Sequence, residues 1–146
     1  MQDIEKIEKI ISSFREVNKV FYKQAWQNAN DLGVTTLQLQ ILKLLEERPS
    51  LGLVEVASKL NNSKSTISGT VERLVKAGYV QRKRSDQDRR ALVLTLTDLG
   101  LRKKQEAYRH YLERLDGLKT IDEQDAEKLI ELHGLVLSKI KLDGDE

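Results

Sequence analysis

Apolar residues recur at helical spacing over most of the chain. From Ile4, positions Ile7, Ile11, Phe14, Asn18, Phe21 and Ala25 follow in alternating steps of three and four, with Ile10, Val17 and Val20 widening the stripe. That pattern predicts a long first helix. Thr35 with Gln38 fits a capping box opening a second helix before Leu39. Val54, Ala57 and Leu60 form a short apolar stripe, and the polar turn Asn61-Asn62-Ser63 follows. Ile67, Val71, Leu74 and Val75 then lie at i, i+4, i+7 and i+8, one face of another helix. Lys76-Ala77-Gly78-Tyr79 ends it: Gly78 can take the left-handed conformation, and Tyr79 can fold back onto Leu74. Two β-prone runs, 79–84 and 91–96, flank a polar connection over 85–90. Thr97 can cap a helix over 101–118 that runs through Tyr108, Tyr111, Leu112 and Leu115. Ala126, Leu129, His133, Val136 and Ile140, with Ile130 and Leu137 alongside, predict the last helix, capped by Thr120 or Asp122.

Helix, turn, helix and then a charged hairpin, over residues 53–97, is the order of a winged helix-turn-helix. The expected fold class is mainly α with a small β-hairpin wing. A winged helix-turn-helix lobe spans 35–97 within a single domain of residues 1–146, and dimerisation helices cover 4–30 and 98–141. The flanking stripes carry more apolar surface than a small monomer readily buries. A second copy of the chain is the natural cover, with Ile4, Ile7, Ile11, Phe14, Leu129, His133, Val136 and Ile140 at the interface. Packing on the chain's own lobe is the alternative.

Charge sharpens this picture through its distribution. The whole chain carries only +2, which alone does not point to a nucleic acid. Residues 64–90, however, hold eight bases against three acids, a surplus of five positive charges. The bases are Lys64, Arg73, Lys76, Arg82, Lys83, Arg84, Arg89 and Arg90. Residues 110–146 hold ten acids against five bases, a surplus of five negative charges. A local basic footprint on a balanced surface is what DNA contact requires. A solvated hairpin edge guarded by charge would have the same composition.

In the second helix of the motif, Ser65, Gly69 and Arg73 face away from Ile67 and Val71, with Thr66, Thr70 and Lys76 nearby. Short hydroxyls at a helix N-terminus suit phosphate and base-edge contact. The candidate DNA-binding set is therefore Ser63, Lys64, Ser65, Thr66, Ser68, Gly69, Thr70, Arg73 and Lys76. Arg84, Asp88, Arg89 and Arg90 join it from the hairpin. Arg73 has the reach for a guanine edge or a phosphate. Asp88 is placed either to orient an arginine or merely to pair with Arg90 in solvent.

Composition excludes several classes. With 39% hydrophobic and 33% charged residues, and no apolar run near the ~18–20 residues that cross a bilayer, no membrane partner is expected. The first residues lack an apolar leader segment and the chain has no cysteine, so a cytoplasmic location is expected and thiol redox control is excluded. The two histidines, His110 and His133, show no ligand spacing. No nucleophile-base pair or phosphate-cradling loop is present, so the chain reads as a non-enzyme with no cofactor and no metal. Tyr22 and Trp26, with Tyr108 and Tyr111, are candidates for a ligand pocket; core or interface packing is the competing role.

Several motifs together resemble the MarR family of bacterial transcriptional regulators. They are Ser63-Lys64-Ser65-Thr66-Ile67-Ser68, Leu74-Val75-Lys76-Ala77-Gly78-Tyr79-Val80, Arg82, Asp88-Arg89-Arg90 and Leu96-Thr97-Asp98-Leu99-Gly100. The resemblance runs over about residues 4–140. It implies a homodimer on a pseudo-palindromic operator, with recognition helices in the major groove and wings at the flanking minor grooves. It implies control by small aromatic molecules held between the dimer helices and the DNA-binding lobe, and it matches Arg90 to the family's minor-groove arginine. Lys64 stands where many members have proline, and Gly69 where many have a long side chain, so the operator cannot be borrowed from relatives. The function expected is a dimeric, ligand-responsive repressor. The alternative is a winged-helix module for protein–protein contact.

Overall fold

The computed structural model describes residues 2–140. Helix α1 (Asp3–Asp31) is followed by α2 (Thr36–Glu47), α3 (Leu53–Lys59) and α4 (Lys64–Lys76). Strands β1 (Val80–Arg84) and β2 (Leu92–Leu96) form an antiparallel hairpin, and α5 (Asp98–Arg114) succeeds it. A 3₁₀ turn (Asp116–Thr120) and α6 (Glu123–Lys139) complete the order. The chain divides into two compact units, Met1–Arg114 and Leu115–Glu146. Lys141, the end of the second expected dimerisation segment, lies outside the described residues, as do Met1 and residues 142–146.

Local signals set most helix ends. Before α2, the Thr35 hydroxyl accepts the Gln38 amide at 3.1 Å and the Gln38 side chain accepts the Thr35 amide at 2.9 Å, a capping box. At the end of α4, Gly78 adopts φ +81°. Its amide reaches the Val75 carbonyl and the Tyr79 amide reaches that of Leu74, each at 3.0 Å. This is a Schellman close, and Tyr79 packs against the core beside it. Asn61, at φ 50°, closes α3 in the same way, since asparagine tolerates the left-handed region better than most residues. The α6 cap departs from expectation. Asp122 holds the position before α6 but makes no side-chain cap bond, and the Thr120 hydroxyl is turned back to the Gly117 carbonyl at 2.7 Å.

The core of the first unit gathers Ile41, Leu42 and Leu45 from α2, Val56 and Ala57 from α3, and Ile67, Val71 and Leu74 from α4, closed by Leu51, Val80 and Leu94. One expected core position is corrected. Val54 is 62% exposed, because the buried stripe of α3 begins one residue earlier and runs through Leu53, Val56, Ala57 and Leu60. The base of the hairpin is tied to the lobe by a bridge between Leu51 and Leu94, in which the Leu94 amide donates to the Leu51 carbonyl at 2.7 Å.

Helix α5 is joined to the end of α4 through Thr97. The Thr97 hydroxyl donates to the Gly78 carbonyl at 2.6 Å and accepts the Gly100 amide at 3.0 Å. Gly100 is required here, since a Cβ would come within 2.1 Å of the Tyr79 carbonyl oxygen. Farther along, Asn28 of α1, only 3% exposed, donates to the Ala107 carbonyl at 2.8 Å. Arg114 reaches Asp31, Gln24 and Gln27, and Lys104 pairs with Glu46 at 2.8 Å. Among the described residues, no helix is long and apolar enough to cross a membrane.

Candidate nucleic-acid interface

The outer face of α4 is polar, short-chained and open. Ser63 is its N-cap: the hydroxyl oxygen accepts the Thr66 amide at 3.1 Å and donates to the Thr66 hydroxyl at 2.7 Å. This bond starts the helix where orphan amides and the helix dipole favour an anion. Lys64, Ser65, Thr66, Ser68, Gly69, Arg73 and Lys76 are all exposed. A Cβ built at Gly69 meets nothing within 4 Å, so its smallness serves no internal packing.

Thr70 does not belong to that face. It is only 7% exposed, and its hydroxyl donates to the Thr66 carbonyl at 2.9 Å. A helix turns about 100° per residue, which sets Thr70 about 40° from Leu74 and at the margin of the buried stripe. Bonding back to its own helix satisfies the buried hydroxyl.

The hairpin tip is an ordered turn. The Ser85 hydroxyl accepts the amides of Gln87 and Asp88 at 3.2 and 3.3 Å, and the Ser85 amide donates to the Ala91 carbonyl at 2.9 Å. Asp88 does orient an arginine residue, but through the main chain. Its Oδ1 accepts the Arg90 amide at 3.0 Å, and the two side chains do not pair. Arg84 is partly committed as well, since its Nη1 donates to the Arg89 carbonyl at 2.9 Å. Arg89 and Arg90 are presented outward from this turn.

One polar link was not anticipated from the sequence. Arg82 of β1 donates to Glu72 of α4 at 2.6 Å. The Arg82 guanidinium, by hydrogen bond and then by charge, holds the Glu72 carboxyl below the ordinary glutamate range, with Lys76 adding to the effect. No spacing rule connects a helical residue to one in the following strand, so only the strand register could have disclosed it.

Three of the four aromatic pocket candidates meet. Tyr22, Tyr108 and Tyr111 line a cavity of about 380 Å³ with Asn28, Leu39, Lys43, Lys104 and Ala107 among its other walls. Lys104 Nζ also sits 5.2 Å from the centroid of the Tyr108 ring. Trp26 is outside this wall and 55% exposed. The wall of α1 is Tyr22, Ala25 and Asn28, and the helical turn places Trp26 to one side of it. Nothing local in the sequence marks Lys43 or Lys104 as cavity-lining.

The expected interface residues lie in both units. Ile4, Ile7 and Ile11 of α1 are exposed, and Phe14 is half-buried. Leu129 and His133 of α6, with Ile140 just beyond it, are exposed, and Val136 is half-buried. His110 of α5 lies 3.9 Å from Glu113.

A capped helix after a tight turn, followed by a hairpin tied to the same core, defines a winged helix-turn-helix protein. Residues 34–92 match the family model described as MarR family. An HTH-type transcriptional regulator of Bacillus subtilis, YfiV, is 36% identical over 67 residues, 46% of this chain and 42% of that regulator's length. The regulator FarR of Neisseria gonorrhoeae is 28% identical over 78% of this chain and 77% of its own. A MarR family protein from Bacillus stearothermophilus superposes with a TM-score of 0.82 at 17% identity, covering 95% of this chain and all of the other. Over residues 34–92 the chain is similar to the MarR family.

Proposed function

We propose that this protein is a sequence-specific DNA-binding transcriptional regulator that works as a homodimer on a pseudo-palindromic operator. The observation that carries the reading is the continuous open face formed by α4 and the hairpin. Lys64, Arg73, Lys76, Lys83, Arg89 and Arg90 are exposed there, and their side chains make no hydrogen bond or ion pair among the described residues. The N-terminal turns of α4 enter the major groove, where Ser65, Thr66 and Ser68 approach base edges and phosphates. The wing carries Arg89 and Arg90 to the flanking minor groove, where a narrow groove concentrates negative potential.

Dimerisation covers the apolar faces of α1 and α6, which carry Ile4, Ile7 and Ile11 and Leu129, Ile130 and Leu137 in exposed positions. A two-fold axis matches two recognition helices to two half-sites. The tyrosine-lined cavity takes a small aromatic effector, and Lys43 in its wall favours an anionic one. Such a molecule releases DNA, and so relieves repression, only by binding the DNA-incompetent form more tightly.

Selection from a random duplex pool, followed by binding measured against salt, tests this function. A dimer that engages ~6–10 phosphates loses ~10³–10⁵-fold in affinity between 50 and 200 mM salt. Arg90→Ala is expected to weaken operator binding by roughly 1–3 kcal/mol with the dimer intact. Enrichment of no sequence, or an affinity indifferent to salt, would sink the reading.

A further inference from the structure

Glu72 is the only acid in α4, and it lies on the exposed side of a helix that, on the functional reading above, faces DNA. A lone carboxylate there would repel phosphate. It is not alone, because Arg82 of β1 covers it at 2.6 Å. Arg82 pairs in register with Leu94, and Val80 pairs with Leu96, so these four share one face of the hairpin. Val80 and Leu94 are buried, whereas every residue of β1 beyond Val80 is exposed. The outer hairpin therefore leaves the core with little apolar packing, and an isolated two-stranded hairpin is marginal in water. The Leu51 bridge holds it through β2. On the β1 side, among the described residues, the one side-chain ion pair to the recognition helix is Glu72 with Arg82.

We propose that Glu72 is a specificity-determining positioning residue. By clamping Arg82 it sets the wing's placement relative to α4, and it withholds one arginine per subunit from phosphate. The inference rests on the DNA-binding reading. The two consequences have opposite signs, which separates a clamp from a simple surface ion pair. Losing the clamp loosens the register between wing and recognition helix, so operator binding suffers. Freeing Arg82 adds a mobile cation, so binding to any duplex improves.

The experiment compares the operator fragment recovered by the wild-type dimer with a scrambled duplex of equal length, across a salt series. Glu72→Ala is expected to raise affinity for the scrambled duplex and to lower the operator-to-scrambled ratio about tenfold, roughly the discrimination of one base pair. The log–log salt slope on the scrambled duplex steepens by about 0.9 for each freed arginine that reaches a phosphate. Arg82→Ala lowers the ratio without the gain on scrambled DNA. The double exchange Glu72→Arg with Arg82→Glu restores the ratio. Melting temperature and dimer mass, measured in parallel, confirm that each variant is folded. A wild-type operator preference that Glu72→Ala leaves unchanged overturns the clamp alone. A wild-type protein that prefers no sequence removes the functional reading and the clamp together.

Discussion

Two glycines show how surroundings set the sign of one substitution. At Gly69 a new methyl group meets open space, so Gly69→Ala is expected to stabilise α4 by about 1 kcal/mol, the helical preference for alanine. At Gly100 the same methyl group meets the Tyr79 carbonyl oxygen at 2.1 Å. Backbone cannot step aside cheaply, so Gly100→Ala is expected to cost about 2 kcal/mol or more despite the gain in propensity. Thermal unfolding of both variants checks the pair, and equal shifts in one direction would refute it. Gly69→Ala also adds bulk to the face proposed to meet DNA, so its operator affinity is expected to fall while its stability rises. Thr70 carries a related lesson: a hydroxyl beside the outward face serves the helix itself once it lies within the buried margin.

Between elements, a few polar bonds join what the core does not reach. Thr97 bonds the end of α4 to the start of α5 through Gly78 and Gly100, and Glu72 with Arg82 bonds α4 to β1. The second joint is sensitive to acid. Arg82 depresses the folded-state Glu72 below the ordinary glutamate range, so over the affected interval the unfolded chain binds more protons than the folded one. The joint's contribution is full above the ordinary glutamate range, about pH 4.3, and is lost as pH falls through the lowered value. Amide exchange at Gln81 and Lys83, whose main-chain groups face β2, is expected to quicken over that acidic interval in the wild type. In Glu72→Gln it stays at one level once intrinsic exchange is subtracted. Identical profiles for the two proteins would contradict the coupling. Because both side chains are substantially solvent-exposed, the pair serves placement of the wing more than global stability.

At the scale of the whole molecule, exposed apolar surface is the dominant unsolved cost. Ile4, Ile7, Ile10, Ile11, Val17 and Val20 are exposed along α1, and Leu129, Ile130, Leu132, Leu135 and Leu137 along α6. Stripes sustained over several turns are the surface that the proposed dimer would cover. Ile11→Lys and Leu129→Lys are each expected to convert the dimer to monomer or aggregate and to abolish operator binding. Leu92→Lys, on the exposed hairpin, is expected to leave the mass unchanged. Sedimentation at micromolar concentration decides, and a wild-type monomer would remove the dimer altogether. With no cysteine in its sequence, the chain is expected to keep its DNA affinity on treatment with diamide.

What the sequence determined by itself is the local scaffold: the order of helices and hairpin, the Thr35 and Thr97 caps, the Gly78 stop, and the basic α4 and wing segment. Each depends on residues within about one helical turn, or on β-prone residue types within one short run, so neighbours along the chain suffice to reveal it. Tertiary structure decided the rest. It put Leu53 and Val56 in the α3 stripe in place of Val54, drew Thr70 inward, and brought Lys43 and Lys104 around three tyrosines while leaving Trp26 outside. It also set Glu72 against Arg82 and the backbone of Tyr79 against Gly100. These outcomes turn on how far each helix is rotated about its axis and on which residue of β1 faces α4. Both are set by close packing of the shared core around Ile41, Leu42, Ile67 and Leu74, where displacing one side chain moves several others.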